Sequence, residues 1–230
     1  MKTNLNMVKD KAIQLIYTEP EKAEGFNVCH HPYISTPVIN SIDTNKSFNI
    51  FQDAEEYHRW QEQFKKEITS RKNVYSVFSL IRPAYRITFF KDINQYLSDK
   101  DFSKMLAVCW SAHGGGEIPA SELEMWFKKA DKNFLMSKKE QKIFSELPEQ
   151  VTVYRGVRSP ECKYGFSWTL DKQTACWYAD RNENKEACVC ECMINRKDIL
   201  CYFDTRNEAE VIIAVSDLKK YNIKGYSYSA

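Results

Sequence analysis

Hydrophobic residues change their spacing at Pro148, and that change limits the chain to an α+β arrangement. Before Pro148 they recur every three or four positions, as on helices; after it they come in short strand-like runs. Met7 to Tyr17 reads as a short helix, and Cys29 to Asn49, with Pro32 and Pro37, as loop with room for a short strand. Asp53, with Glu56 three residues on, approximates a capping box, and Tyr57, Trp60 and Phe64 follow at helical spacing, so a helix is predicted to about Ser70. Pro83 breaks the chain ahead of an aromatic-rich segment, Tyr85 to Phe90. Phe102, Met105, Leu106, Cys109 and Trp110 form a buried helical stripe that stops at His113-Gly-Gly-Gly116. Pro119 fits a first helical turn, and Ser137 with Glu140 forms a capping box opening a helix that ends at Pro148. Beyond it, Val151–Val157, Tyr164–Thr169, Ala187–Ile194 and Val211–Val215 read as strands. One helix interrupts them, from its cap Asp171 to about Arg181. The expected division is a mainly helical region, 1–149, and a β-rich region, 150–230.

A chain of 230 residues can bury a real core, and thirteen Tyr and thirteen Phe against seven Gly argue against disorder. A net charge of +2 is too small to announce a nucleic-acid partner by itself. The polar stretch Met1 to Asp10 has no apolar region of the secretory kind, and no apolar run reaches the roughly 18 residues of a membrane span. No membrane partner is expected. Without an export signal, eight cysteines read as reduced thiols, and the expected location is cytoplasmic. Cys188, Cys190 and Cys192 alternate, which does not match zinc-ligand spacing; on a strand they share one face as small apolar core residues, so no metal is expected. The glycine triplet lacks the Lys-Ser/Thr of a phosphate loop.

Three segments of the last third carry chemistry. Val151-Thr-Val-Tyr154-Arg155-Gly156 is an apolar strand ending in a guanidinium. In Ser167-Trp168-Thr169 two hydroxyls share one strand face and the indole takes the other. In Arg206-Asn-Glu208-Ala-Glu210-Val-Ile-Ile two carboxylates lead into an apolar strand, roughly 7 Å apart along it if both belong to it. Taken singly, each has a plain reading: a strand-end salt bridge, ordinary strand hydroxyls, an acidic turn before a core strand.

Together, in this order, they resemble the R-S-E class of ADP-ribosyltransferases. The second motif departs from the family's Ser-Thr-Ser at Trp168. The resemblance covers 151–215; Leu106 to Trp110 and Leu135-Met136-Ser137 are also similar to small phage and prophage-associated proteins of this kind. It implies an ADP-ribosyltransferase-like split β-sandwich, against which the helical N-terminal part packs. NAD is the expected substrate, gripped at its pyrophosphate by Arg155 with Tyr154 and Gly156 beside it. Ser167 is expected to fix the rotamer of the catalytic Glu210, with Trp168 and Thr169 lining the nicotinamide side. Glu208 would orient or deprotonate the acceptor. Tyr202 and Phe203, expected in the loop before the glutamates, would touch that acceptor. A protein arginine is favoured by Glu208; an RNA or DNA base is the alternative, with Lys128-Lys129 and Lys138-Lys139 as its basic support. The implied role is a toxin or phage–host conflict effector, with an antitoxin or inhibitor protein as partner. An NAD glycohydrolase and a catalytically inactive binding module of the same fold are the competing expectations.

Overall fold

A computed structural model describes residues 1–23, 27–44, 46–113, 115–181 and 186–227. The chain divides into two compact units, Met1–Glu117 and Ile118–Ala230. That boundary corrects the one near 148–150. Composition marks where helices give way to strands, but the helices from 120 to 146 bury their apolar faces with the sheet and belong to its unit.

In the first unit, α1 (Leu5–Gln14) runs into a 3₁₀ turn, Leu15–Tyr17. Two small antiparallel pairs follow: β1 (Glu21–Lys22) with β2 (Cys29–His30), and β3 (Val38–Asn40) with β4 (Ser47–Asn49). Then come α2 (Ala54–Ser70), α3 (Val74–Phe78), α4 (Pro83–Ile93) and α5 (Asp99–His113). Asp53 caps α2 through Glu56 N, and Pro83 opens α4 at its first position, where a missing N–H costs nothing. The aromatic-rich segment after Pro83 is therefore helix. Gly114 of the expected glycine stop lies outside the described residues. Trp60 stacks on Tyr57 and Phe64, and Phe78 meets Phe89 edge-on. Each large side chain buried here contributes about 2 kcal/mol. The segment 29–34 is held by Arg82, whose Nη1 donates to the carbonyls of Cys29, His31 and Ile34.

The second unit holds α6 (Ala120–Lys129), α7 (Lys132–Leu135) and α8 (Lys138–Glu146), then β5 (Gln150–Val157), β6 (Ser167–Thr169), α9 (Lys172–Asp180), β7 (Cys188–Asn195), β8 (Ile199–Phe203), β9 (Glu210–Ile213), α10 (Val215–Leu218) and β10 (Lys224–Ser227). Its six strands form one antiparallel sheet in the order β10-β7-β5-β6-β9-β8. The fold class is α+β. The two halves of this sheet are joined by little: β5 and β7 pair along their whole length, but β5 and β6 meet at a single pair, Tyr154 with Thr169. Cys188, Cys190 and Cys192 are buried on β7, as three residues of a core-facing row should be.

Candidate active site

The capping box of α8 reaches further than its helix. Glu140 Oε2 accepts from Ser137 N at 2.7 Å, and Glu140 Oε1 accepts from Asp204 N at 2.8 Å. One buried carboxylate thus satisfies a helix N-terminus and anchors the start of the loop 204–209. Asp204 in turn accepts from Ala209 N at 3.3 Å, and Ala209 O accepts from Leu170 N at 3.0 Å. Within this loop Asn207 has φ 56° and Ala209 φ 44°. Asparagine tolerates that region; an alanine there costs roughly 1–2 kcal/mol and persists because the surrounding hydrogen bonds over-determine it.

That strained turn delivers Glu210 to the first position of β9, in register with Thr169 on β6 and Phe203 on β8. Its residue is 5% exposed. The diagonal neighbour on β6, Ser167, donates from Oγ to Glu210 Oε1 at 2.5 Å. Hydroxyl and carboxylate are 43 residues apart in sequence. Alternation puts Ser167 and Thr169 on one face, so the two hydroxyls expected to work together do share a side. Thr169 is nonetheless spent on the loop: Oγ1 donates to Glu208 O at 2.6 Å and accepts from Asp171 N.

Arg155 enters from β5. Its Nη1 donates to Ser167 O at 2.6 Å, tying the guanidinium to the strand that carries the hydroxyl. Gly165 makes the approach possible, since a Cβ there would stand 2.4 Å from Arg155 Nη2. Burial draws the guanidinium's pKa below its usual value. Its Nε is buried with no partner, and no carboxylate lies within 4.0 Å of it among the described residues. A half-buried cation with an orphaned donor, and with Glu210 acting on it only from beyond ion-pair distance, is suited to an anionic ligand.

The two glutamates differ sharply. Glu208 does not stand on the strand; it sits in the turn, so the strand spacing expected for the pair does not apply. Its Oε1 accepts from Tyr178 OH at 2.6 Å and its Oε2 from Arg206 Nε at 2.9 Å. Burial and the Glu208 carboxylate push the Tyr178 phenol up to about 12, so it stays a donor. Arg206 Nη2 lies 2.8 Å from Glu208 Oε2 and 3.6 Å from Glu210 Oε2. This bridging cation offsets the repulsion between the two acids.

Five expected contacts stand elsewhere. Trp168 is 2% exposed on the opposite face of β6, with its indole N–H on Gly165 O, and is a core residue. Gly156 faces α9: a Cβ would come 2.1 Å from Ala175 O, so its role is to let the helix lie on the strand. Tyr154 packs on the same side, against Ala175 and Ala179. Tyr202 and Phe203 belong to β8 and are buried; the loop begins only at Asp204. β8 is an edge strand of the sheet, and both aromatics are buried there all the same.

Tyr178, Arg206 and Gly165 were not singled out in the sequence. Arg206 had a signal, since a cation two and four residues before two carboxylates can reach both. Tyr178 had only its place on the inner face of its helix. Comparison with protein-family models, with curated proteins and with solved structures found no match.

Proposed function

We propose that this chain cleaves NAD at the nicotinamide bond and transfers ADP-ribose to a macromolecular acceptor. The observation that carries this reading is the 2.5 Å hydrogen bond from Ser167 to Glu210, on strands bound to an arginine that has no carboxylate within 4.0 Å among the described residues. The single-pair join between β5 and β6 supports the reading of the sheet as the split kind that this chemistry uses. Arg155 offers paired donors to a pyrophosphate, and its orphaned Nε fits that task. Glu210, locked in one rotamer by Ser167, accepts from ribose hydroxyls and stabilises the positive charge that develops at the sugar carbon as nicotinamide departs. Glu208, more exposed than Glu210, is the group that meets the acceptor, with a protein arginine favoured over a nucleic-acid base. The biological setting that fits is a toxin or phage–host conflict effector of the cytoplasm, held in check by an inhibitor protein.

A second reading, an NAD glycohydrolase that hands ADP-ribose to water, is favoured by one feature. Both Glu208 oxygens are occupied internally, by Tyr178 and Arg206. The test is incubation of the purified chain with NAD labelled in its adenine ring, in a cell lysate and in buffer. Transfer predicts label in the protein or nucleic-acid fraction; hydrolysis predicts free ADP-ribose in both. Glu210→Gln should reduce nicotinamide release by at least about a hundredfold, the size of effect seen when a transition-state charge stabiliser is removed. Release by wild type at the level of that variant would overturn both readings.

A further inference from the structure

A cleft of 540 Å³ opens between α7, α8 and the turn after β7, lined by Lys132, Phe144, Glu149, Asn195, Arg196 and Lys197. It lies at the far end of β5 from the Ser167–Glu210 pair. Gln150 pairs with Asn195 at the cleft, and Arg155 is five residues further on, roughly 17 Å along a strand. The two sites share no residue.

Its electrostatics are one-sided. Three cations face one carboxylate, and among the described residues none of the three has a carboxylate within 4.0 Å. Lys132 is an exposed residue, but its ammonium is turned onto the protein. Nζ stands 4.8 Å from the Phe144 ring centroid and donates to Ile199 O at 3.3 Å. Burial lowers its pKa from the usual lysine value, only partly offset by the Cys201 thiol nearby. Arg196 uses Nη1 to donate to Ser145 O and Leu147 O, the last carbonyls around the end of α8. Its Nε and Nη2 have no partner among the described residues. The two contacts hold the guanidinium rigidly, which reduces the entropy a ligand must remove. Asn195 is likewise fixed, donating from Nδ2 to Tyr221 OH at 3.0 Å, and Tyr221 donates to Asp198.

We infer that this cleft is a second ligand site, and that it takes a small phosphorylated molecule bearing a planar ring, of mononucleotide size. The phosphate meets Lys132, Arg196 and Lys197; Phe144 supplies the apolar wall; Glu149 and the Asn195 carbonyl accept from hydroxyl or amino groups. The volume suits such a ligand, since small-molecule clefts run from roughly 300 to 1,000 Å³. A lone inorganic anion leaves the ring and the carboxylate unused.

AMP, adenosine and inorganic phosphate are titrated separately into the full chain, with binding followed by calorimetry and by the amide NMR signals of residues 195–197. The expected result is AMP binding with shifts at 195–197, and adenosine or phosphate weaker by roughly tenfold or more, the loss of one charge-assisted group. Lys132→Met and Lys197→Ala, both on exposed positions, should each weaken AMP by about the same factor. Arg155→Ala should leave that binding intact. Absence of AMP binding overturns the inference. So does binding lost in Arg155→Ala but kept in Lys132→Met, because that pattern assigns the nucleotide to the other site. Adenosine binding equal to AMP, or AMP shifts confined to residues near Glu210, overturns it as well. Because the readout is binding and not turnover, a catalytically silent chain leaves the outcome meaningful.

Discussion

Gly156→Ala tests how the sheet and α9 hold the candidate site together. An added Cβ would stand 2.1 Å from Ala175 O, 2.6 Å from Ala179 N and 2.9 Å from Tyr178 Cβ. Two of those three atoms are backbone, so no side chain can rotate away. To restore ordinary contact at 3.4 Å, the helix must withdraw by about 1.3 Å (3.4 − 2.1). Withdrawal stretches the Tyr178–Glu208 hydrogen bond from 2.6 Å to nearly 4 Å, beyond bonding distance. Overpacking of this kind costs about 1–3 kcal/mol, and a lost hydrogen bond to a carboxylate about 1.5–3 kcal/mol. The expected loss is therefore about 3 kcal/mol or more, read as a fall in the urea midpoint at unchanged slope. Tyr178→Phe removes the hydrogen bond without moving the helix and should account for roughly half of it. A Gly156→Ala midpoint within about 0.5 kcal/mol of wild type would refute the close approach of α9 to β5.

Other consequences follow from the same geometry. Arg155→Lys keeps the charge but loses the paired donors and the contact to Ser167 O; the KM for NAD should rise roughly tenfold with a smaller effect on kcat, and an unchanged KM counts against a phosphate role. Glu208→Gln should spare nicotinamide release while removing transfer to the acceptor; equal losses in Glu208→Gln and Glu210→Gln would refute a division of labour between the two acids. His31 gives a pH dependence. It is fully buried, Tyr33 N donates to its Nδ1, and its Nε2 therefore donates to Ile16 O, so the folded ring is neutral. Burial lowers its pKa to about 4, against roughly 6.5 in the unfolded chain. The unfolded state then binds more protons between those values, so stability is full above about pH 6.5 and falls by about 3 kcal/mol as pH drops toward 4. Urea midpoints at pH 7 and 4.5 measure this, and an equally steep fall in His31→Gln would assign it to other groups.

Much of the local structure was legible in the sequence because it depends on neighbours in the chain. The capping box of Ser137 and Glu140, the Asp53 and Asp171 caps and the core row of Cys188, Cys190 and Cys192 all follow from offsets of two or three residues. The segment after Pro83 was harder: Tyr85, Ile87 and Phe89 alternate as on a strand, while the exposed face of α4 (Ala84, Thr88, Lys91 and Asp92) shows its helical spacing only when the segment is followed to Ile93. The boundary at 117 was hidden for a different reason. Composition records the type of element, whereas a unit is defined by what its elements bury against.

By itself the amino-acid order determined most of the longer helices and strands, though not α4, β8, β10 or the short strands within 21–49, and that a guanidinium, two hydroxyls and two carboxylates stand on or beside strands. It also determined that Ser167 and Thr169 share a face and Trp168 does not, since alternation is a property of one strand. Only the tertiary structure decided that β6 lies beside β9, which brings Ser167 onto Glu210 across 43 residues. Only it decided that Glu208 sits in a left-handed turn under Tyr178 and Arg206, and that Gly156 serves a helix and not a ligand. The physical reason is that periodicity fixes the direction of a side chain relative to its own backbone, while the identity of what it meets depends on strand order and helix packing.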